Sequence, residues 1–133
     1  MEPTRIPFKI ASAYAGCAKV DGLIVVSSES LALEYRVSDK WLGALKSGVI
    51  KRTVPYAALE RAEYRMGFFK PSVLFTARSL DAFANLPCAD PTFLRLLVPW
   101  RYRRAARSAA AEINLYILFN EPSRFRLPLY RLG

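Results

Sequence analysis

Histidine is absent from this chain of 133 residues. That absence removes the commonest general base at neutral pH and the commonest side-chain ligand for transition metals. Cysteine occurs twice, as Cys17 and Cys88, far apart and without the close spacing of a metal clip. Both read as small buried hydrophobes; a single disulfide is compatible with the sequence but required by nothing in it. Glycine is scarce, and no phosphate loop is built from it. Gly43-Ala44-Leu45-Lys46-Ser47-Gly48 holds a Lys-Ser pair, but lacks the first glycine at P-loop spacing and the second immediately before the lysine. No apolar run approaches the ~20 residues of a membrane-spanning helix. The serines and cysteines have no histidine to activate them. Glu60 and Glu63 sit beside Arg61 and Arg65 as surface pairs, and Asp81 and Asp90 are turn residues. The expectation is a protein with no enzymatic activity, cofactor or metal.

What is present is apolar surface and positive charge. A hydrophobic fraction of 53% with 2 Trp, 7 Tyr and 8 Phe supports a packed globule of one domain. The formal charge is +9 and uneven: residues 1–91 hold 12 basic and 9 acidic side chains, residues 92–133 hold 8 and 2. Such a balance favours anionic lipid, nucleic acid or an acidic protein surface without choosing among them. Arg5 and Lys9 ahead of Ile10-Ala11-Ser12-Ala13-Tyr14-Ala15-Gly16-Cys17 faintly resemble a lipoprotein leader. The run is too short and too poor in leucine for an h-region of ~7–15 residues, so a cytoplasmic location is expected, with peripheral membrane contact left open.

Most of the chain reads as short strands. Ile6, Phe8 and Ile10 alternate, as an edge strand or an ordered arm. Strands are expected at 18–26, with a turn or bulge at Asp21-Gly22, and at 31–38, where Leu31, Leu33, Tyr35 and Val37 share one face. Further strands are expected at 49–56, 59–66, 73–78, 83–86 and 93–98, the third and sixth closed by Pro55 and Pro87. In 59–66, Ala62, Tyr64 and Met66 face one way, and Arg61, Glu63 and Arg65 the other.

A helix follows over residues 99–118. Pro99 suits a first turn, where a missing N–H loses nothing. No Gly or Pro falls between Trp100 and Asn120, and Tyr102, Ala105, Ala106, Ala109, Ile113, Tyr116 and Ile117 form an apolar stripe at helical spacing. Arg101, Arg104 and Ser108 line another face, beside Arg103 and Arg107. Four arginines crowd the positive end of the helix dipole, against its preference. They read either as a solvated face or as an anion-facing patch. Residues 120–133 form a basic tail in which Arg124 and Arg126 alternate with apolar residues, either loosely packed or touching lipid or single-stranded nucleic acid.

Strands in series closed by one C-terminal helix, together with Gly22-Leu23-Ile24-Val25-Val26, the serine-rich turn, Leu31-Ala32-Leu33-Glu34-Tyr35-Arg36, Lys46-Ser47-Gly48-Val49, Val54-Pro55 and the Val98-Pro99 lead into an Arg/Ala-rich helix, resemble the bacterial branch of pleckstrin-homology-like domains. The resemblance implies an α+β fold, a seven-stranded antiparallel partly open barrel closed by the helix. It covers residues 18–119, between an N-terminal arm (1–17) and the basic tail (120–133). It also implies a binding module acting on a protein partner or on a second copy of itself. Anionic membrane is the alternative partner and nucleic acid ranks third. Phosphoinositide-binding members carry a basic cluster between their first two strands. Taken as residues 26–31, that loop holds one acid and no Lys or Arg. Lys40, Lys46, Lys51 and Arg52 form a candidate anion patch near the next loop, with ordinary surface charge as the competing reading.

Overall fold

Among the described residues, alternation of apolar side chains builds one sheet, and one α-helix covers part of it. A computed structural model describes residues 3–13, 18–39, 48–67, 70–83, 86 and 91–120. The strands are β1 (Thr4–Ala13), β2 (Ala18–Val26), β3 (Ser30–Asp39), β4 (Ile50–Pro55), β5 (Leu59–Met66), β6 (Pro71–Ala77) and β7 (Phe93–Leu97). A 3-10 turn at Tyr56–Ala58 joins β4 to β5, and another at Trp100–Tyr102 leads into α1 (Arg103–Phe119). All pairings are antiparallel, in the order β4-β3-β2-β1-β7-β6-β5. The fold is α+β.

The connection between the two edge strands forces the sheet to curl. Seven strands at ~4.8 Å spacing would set flat edges about 29 Å apart. The chain from Pro55 to Leu59 reaches at most about 14 Å, yet it joins β4 at one edge to β5 at the other. The sheet therefore curls, but among the described residues no pairing joins β4 to β5 and it does not close. Gly22 marks a tight place in the roll. It lies between Phe8 and Tyr35 in register, and a Cβ there would fall 2.7 Å from that of Tyr35.

Inward residues meet in a single core that includes Phe8, Ile24, Leu33, Tyr56, Phe75 and Leu96. Ala106, Ala109, Ala110, Ile113 and Ile117 are the buried residues of α1. Three alanines on this face let the helix axis approach closely, and burying a side chain such as Ile113 contributes roughly 1.5–3 kcal/mol. The expected stripe is the buried stripe, with Ala110 added and Tyr102, Ala105 and Tyr116 half-buried at its margin.

Three strand expectations need correction. β2 runs through Asp21 and Gly22 without the expected turn or bulge, both in register with β1 and β3. Residues 4–13, part of the expected arm, form β1 in the middle of the sheet between β2 and β7. Pro7 is tolerated because β7 meets β1 only at Lys9↔Leu97, leaving Pro7 with a sheet neighbour on one side. The expected strand at 83–86 is not formed at its described ends. Phe83 is a fully buried turn residue, and the Leu86 N–H bonds back to Phe83 O at 3.0 Å. Among the described residues the strands still number seven, but every strand from β2 to β6 moves up by one. The loop between the first two strands is therefore 14–17, not 26–31. It lies outside the described residues, and its sequence, Tyr14-Ala15-Gly16-Cys17, also has no Lys or Arg.

Candidate functional site

The two edges of the sheet end differently. On β5, the side chain of Asn114 from α1 takes the place of a neighbouring strand. Its Oδ1 accepts the Ala62 N–H at 2.8 Å, and its Nδ2 donates to Ala62 O at 2.8 Å. Backbone groups that edge strands leave unpaired are here satisfied by the helix. Among the described residues, the ladder on β4 runs to β3 alone, from Tyr35↔Ile50 to Ser30↔Pro55. Lys51, Arg52 and Thr53 are exposed along it. Nothing in the sequence singled out Asn114: an asparagine in mid-helix is unremarkable until the strand beside it is known.

Lys51 and Arg52 do not form one patch. Lys51 pairs with Glu34 and points to the outer face, while Arg52 pairs with Leu33 and points to the inner side at the open edge. Lys40, Lys46, Arg124 and Arg126 lie outside the described residues, as do Cys17 and Cys88. Arg101 and Arg104 are exposed. The arginines around the helix start lie against rings: Arg101 over Tyr102 at 5.4 Å, Arg103 over Trp100 at 4.4 Å and Arg107 over Tyr64 at 5.3 Å. Cation–π contact of this kind offsets the unfavourable dipole.

The sequence reading passed over a second set of cations. Lys9, Arg61, Arg65 and Arg95 share the outer face of β5, β6, β7 and β1. Alternation alone separates Arg61 and Arg65 from Ala62 and Tyr64; joining them to Arg95 and Lys9 requires the register. Glu63 lies between its neighbours, 2.7 Å from Arg61 Nε and 2.8 Å from Arg65 Nη2. The hydrogen bond from Arg65 holds its carboxyl below the usual carboxylate range.

A cleft of about 210 Å³ opens where α1 meets the β2–β3 turn, lined by Thr4, Ser27, Ser28, Glu112 and Tyr116 among others. Tyr56 lies beside it, its ring 5.3 Å from that of Tyr116. Its hydroxyl donates to Ser27 O and lies 3.1 Å from Ser30 O, while Tyr116 donates to Glu112 at 2.9 Å. Burial, with Tyr116 and Glu112 nearby, pushes the Tyr56 hydroxyl far above the ordinary tyrosine value. The bond to Glu112 raises Tyr116 as well. Both hydroxyls are thus held in the protonated, donating form. They fasten helix to turn.

Among the described residues, no group of three or more Cys, Asp or Glu side chains gathers to hold a metal ion. No helix among them is long and apolar enough to cross a membrane. No family model, curated protein or solved structure matches the chain.

Proposed function

We propose that the chain is a non-enzymatic binding module of pleckstrin-homology-like architecture, which takes an extended segment of a protein partner along β4. The architectural reading is supported by the strand order, the rolled but unclosed sheet and the single C-terminal helix. The binding reading rests on one observation: β5 is occupied at Ala62 by Asn114, whereas β4 is, among the described residues, hydrogen-bonded on one side only. A strand added there gains main-chain hydrogen bonds, and its alternate side chains meet the two faces of the sheet.

Charge gives the partner its chemistry. Lys51 on the outer side and Arg52 on the inner side favour a segment with carboxylates on both faces. A second copy would bring the same cations of both edges into one ladder, which makes self-association the less favoured use of this edge.

The test is titration of isotope-labelled protein with a short peptide of repeated Glu-Glu-Val-Val, whose neighbouring glutamates fall on opposite faces of a strand, against its lysine–valine counterpart. Amide shifts confined to β4 and seen only with the acidic peptide are expected. Shifts elsewhere, equal response to both peptides, or a dimeric mass by light scattering with β4 amides protected would overturn the reading.

A further inference from the structure

The outer face of β5, β6, β7 and β1 is a separate surface, and its register gives three rows. Arg61, Thr76 and Phe93 make the first; Glu63, Leu74 and Arg95 the second; Arg65, Ser72, Leu97 and Lys9 the third. Lys70 adds a cation at the β5–β6 turn, which is closed by the Gly67 N–H to Lys70 O at 3.2 Å. Lys9 and Lys70 flank a hollow of about 200 Å³ whose lining includes Leu97. Arg95 extends toward the same turn: its Nη2 would lie 3.6 Å from a Cβ placed on Gly67.

Among the described residues, five cations therefore share one face with two acids, Glu63 between Arg61 and Arg65 and the exposed Glu60 at the bulge beside Arg61. Lys9 is also 3.7 Å from Asp21 on β2. Arg95 and Lys70 form no ion pair among the described residues. Phe93 stands in the first row with 43% of its surface exposed, although residues flanking it in β6 and β7, Thr76 and Leu94, are buried. A sheet face that leaves an aromatic ring open among arginines has the two elements used to hold a single nucleic-acid strand: a ring for a base and cations for the backbone. Arg61 and Arg65, four residues apart on β5 with Glu63 between them, stand about 13.6 Å apart along the strand, roughly two phosphate spacings of an extended single strand. Three of the five cations are arginines, whose planar forks bind phosphate in pairs of hydrogen bonds. Both carboxylate oxygens of Glu63 are engaged by Arg61 and Arg65, so the acid fixes these forks in place.

We infer that this face binds single-stranded nucleic acid, with a base stacked on Phe93 and the backbone running across Arg61, Arg65 and Arg95 toward the Lys9–Lys70 hollow. The surface is distinct from the β4 edge, so the fate of one reading does not decide the other.

The test is fluorescence anisotropy with labelled oligothymidylate and oligouridylate over a salt series. Each phosphate contact contributes about −0.7 to the slope of log affinity against log salt. The paired change Arg95→Gln with Lys70→Gln should flatten the slope by about 1.4. Phe93→Ala should leave the slope unchanged and weaken binding about five- to a hundredfold, the range for loss of one stacked base. Thermal melting checks that the fold survives the loss of Phe93, whose surface is 43% exposed. The inference is overturned by absence of binding at low salt or by indifference to Phe93→Ala. It is equally overturned by duplex DNA or anionic vesicles binding as tightly as the oligonucleotides.

Discussion

Asn114 and Ala62 are 52 residues apart in sequence, yet are joined by two hydrogen bonds of 2.8 Å each. The amide presents an acceptor and a donor side by side, as a neighbouring strand would, and so ends the sheet at β5. Asn114→Leu keeps a helix-compatible side chain but leaves the Ala62 N–H and C=O without this partner. Loss of about 1–3 kcal/mol of stability is expected, read from denaturant midpoints. Asn114→Asp keeps the acceptor and turns a carboxylate oxygen toward Ala62 O, so it too should destabilise. With the edge opened, the Leu variant should also gain a concentration-dependent dimer by light scattering. A Leu variant as stable as the parent would mean that the helix holds β5 by apolar contact alone.

Tyr56 ties the β4–β5 corner to the β2–β3 turn through Ser27 O. Tyr56→Phe leaves that carbonyl without its donor and should reduce stability at neutral pH by about 1–3 kcal/mol. The folded hydroxyl titrates far above its ordinary value, mainly through burial. A group raised in this way stabilises fully below the unfolded value, about 10. The benefit is lost as pH rises beyond it, because the unfolded chain then releases a proton that the native state retains. The lead of the parent over Tyr56→Phe should therefore be constant from neutral pH to about 10 and shrink above it. Chemical denaturation at a series of alkaline pH values measures this, and a widening gap would contradict the assignment.

Most of the architecture was legible because alternation is a local signal. Leu31, Leu33 and Tyr35 all point inward, and the expected strands over β2 to β5 and the helix stripe agree with the fold. Errors arose where a local signal meant something else. The alternation of Ile6, Phe8 and Ile10 fits an edge strand or an arm equally well, but the segment lies inside the sheet, and Pro7 fits there because β7 reaches β1 only two residues later. The apolar segment around Phe83 suggested a strand, but its ring fills the core from a turn. The surfaces were less legible than the core. Lys51 and Arg52 look like a pair in sequence, and pleating divides them. Arg61 and Arg95 are 34 residues apart, and only register brings them to one face. Edge capping by Asn114 has no sequence signature, since it depends on how the helix lies over β5.

Glu63 offers a change that should strengthen an interaction. It is the acid between Arg61 and Arg65 on the cationic face, and Arg65 holds its carboxyl below the usual range. The depressed group stabilises the fold above the unfolded carboxylate value, about 4.3, and that contribution is lost as pH falls through its lower folded value. Glu63→Gln should thus lower the melting temperature slightly at neutral pH, with the gap to the parent closing in acid. The same change removes a negative charge from the proposed nucleic-acid surface while keeping a side chain that can accept from either arginine. Oligonucleotide affinity should rise severalfold at neutral pH. The parent should reach the affinity of the variant only when pH falls below about 4.3, because the carboxyl stays ionised until then. Anisotropy titrations with both proteins at matched ionic strength decide the matter. Weaker binding by Glu63→Gln would mean that the carboxylate's hold on the two arginines matters more to the strand than its charge.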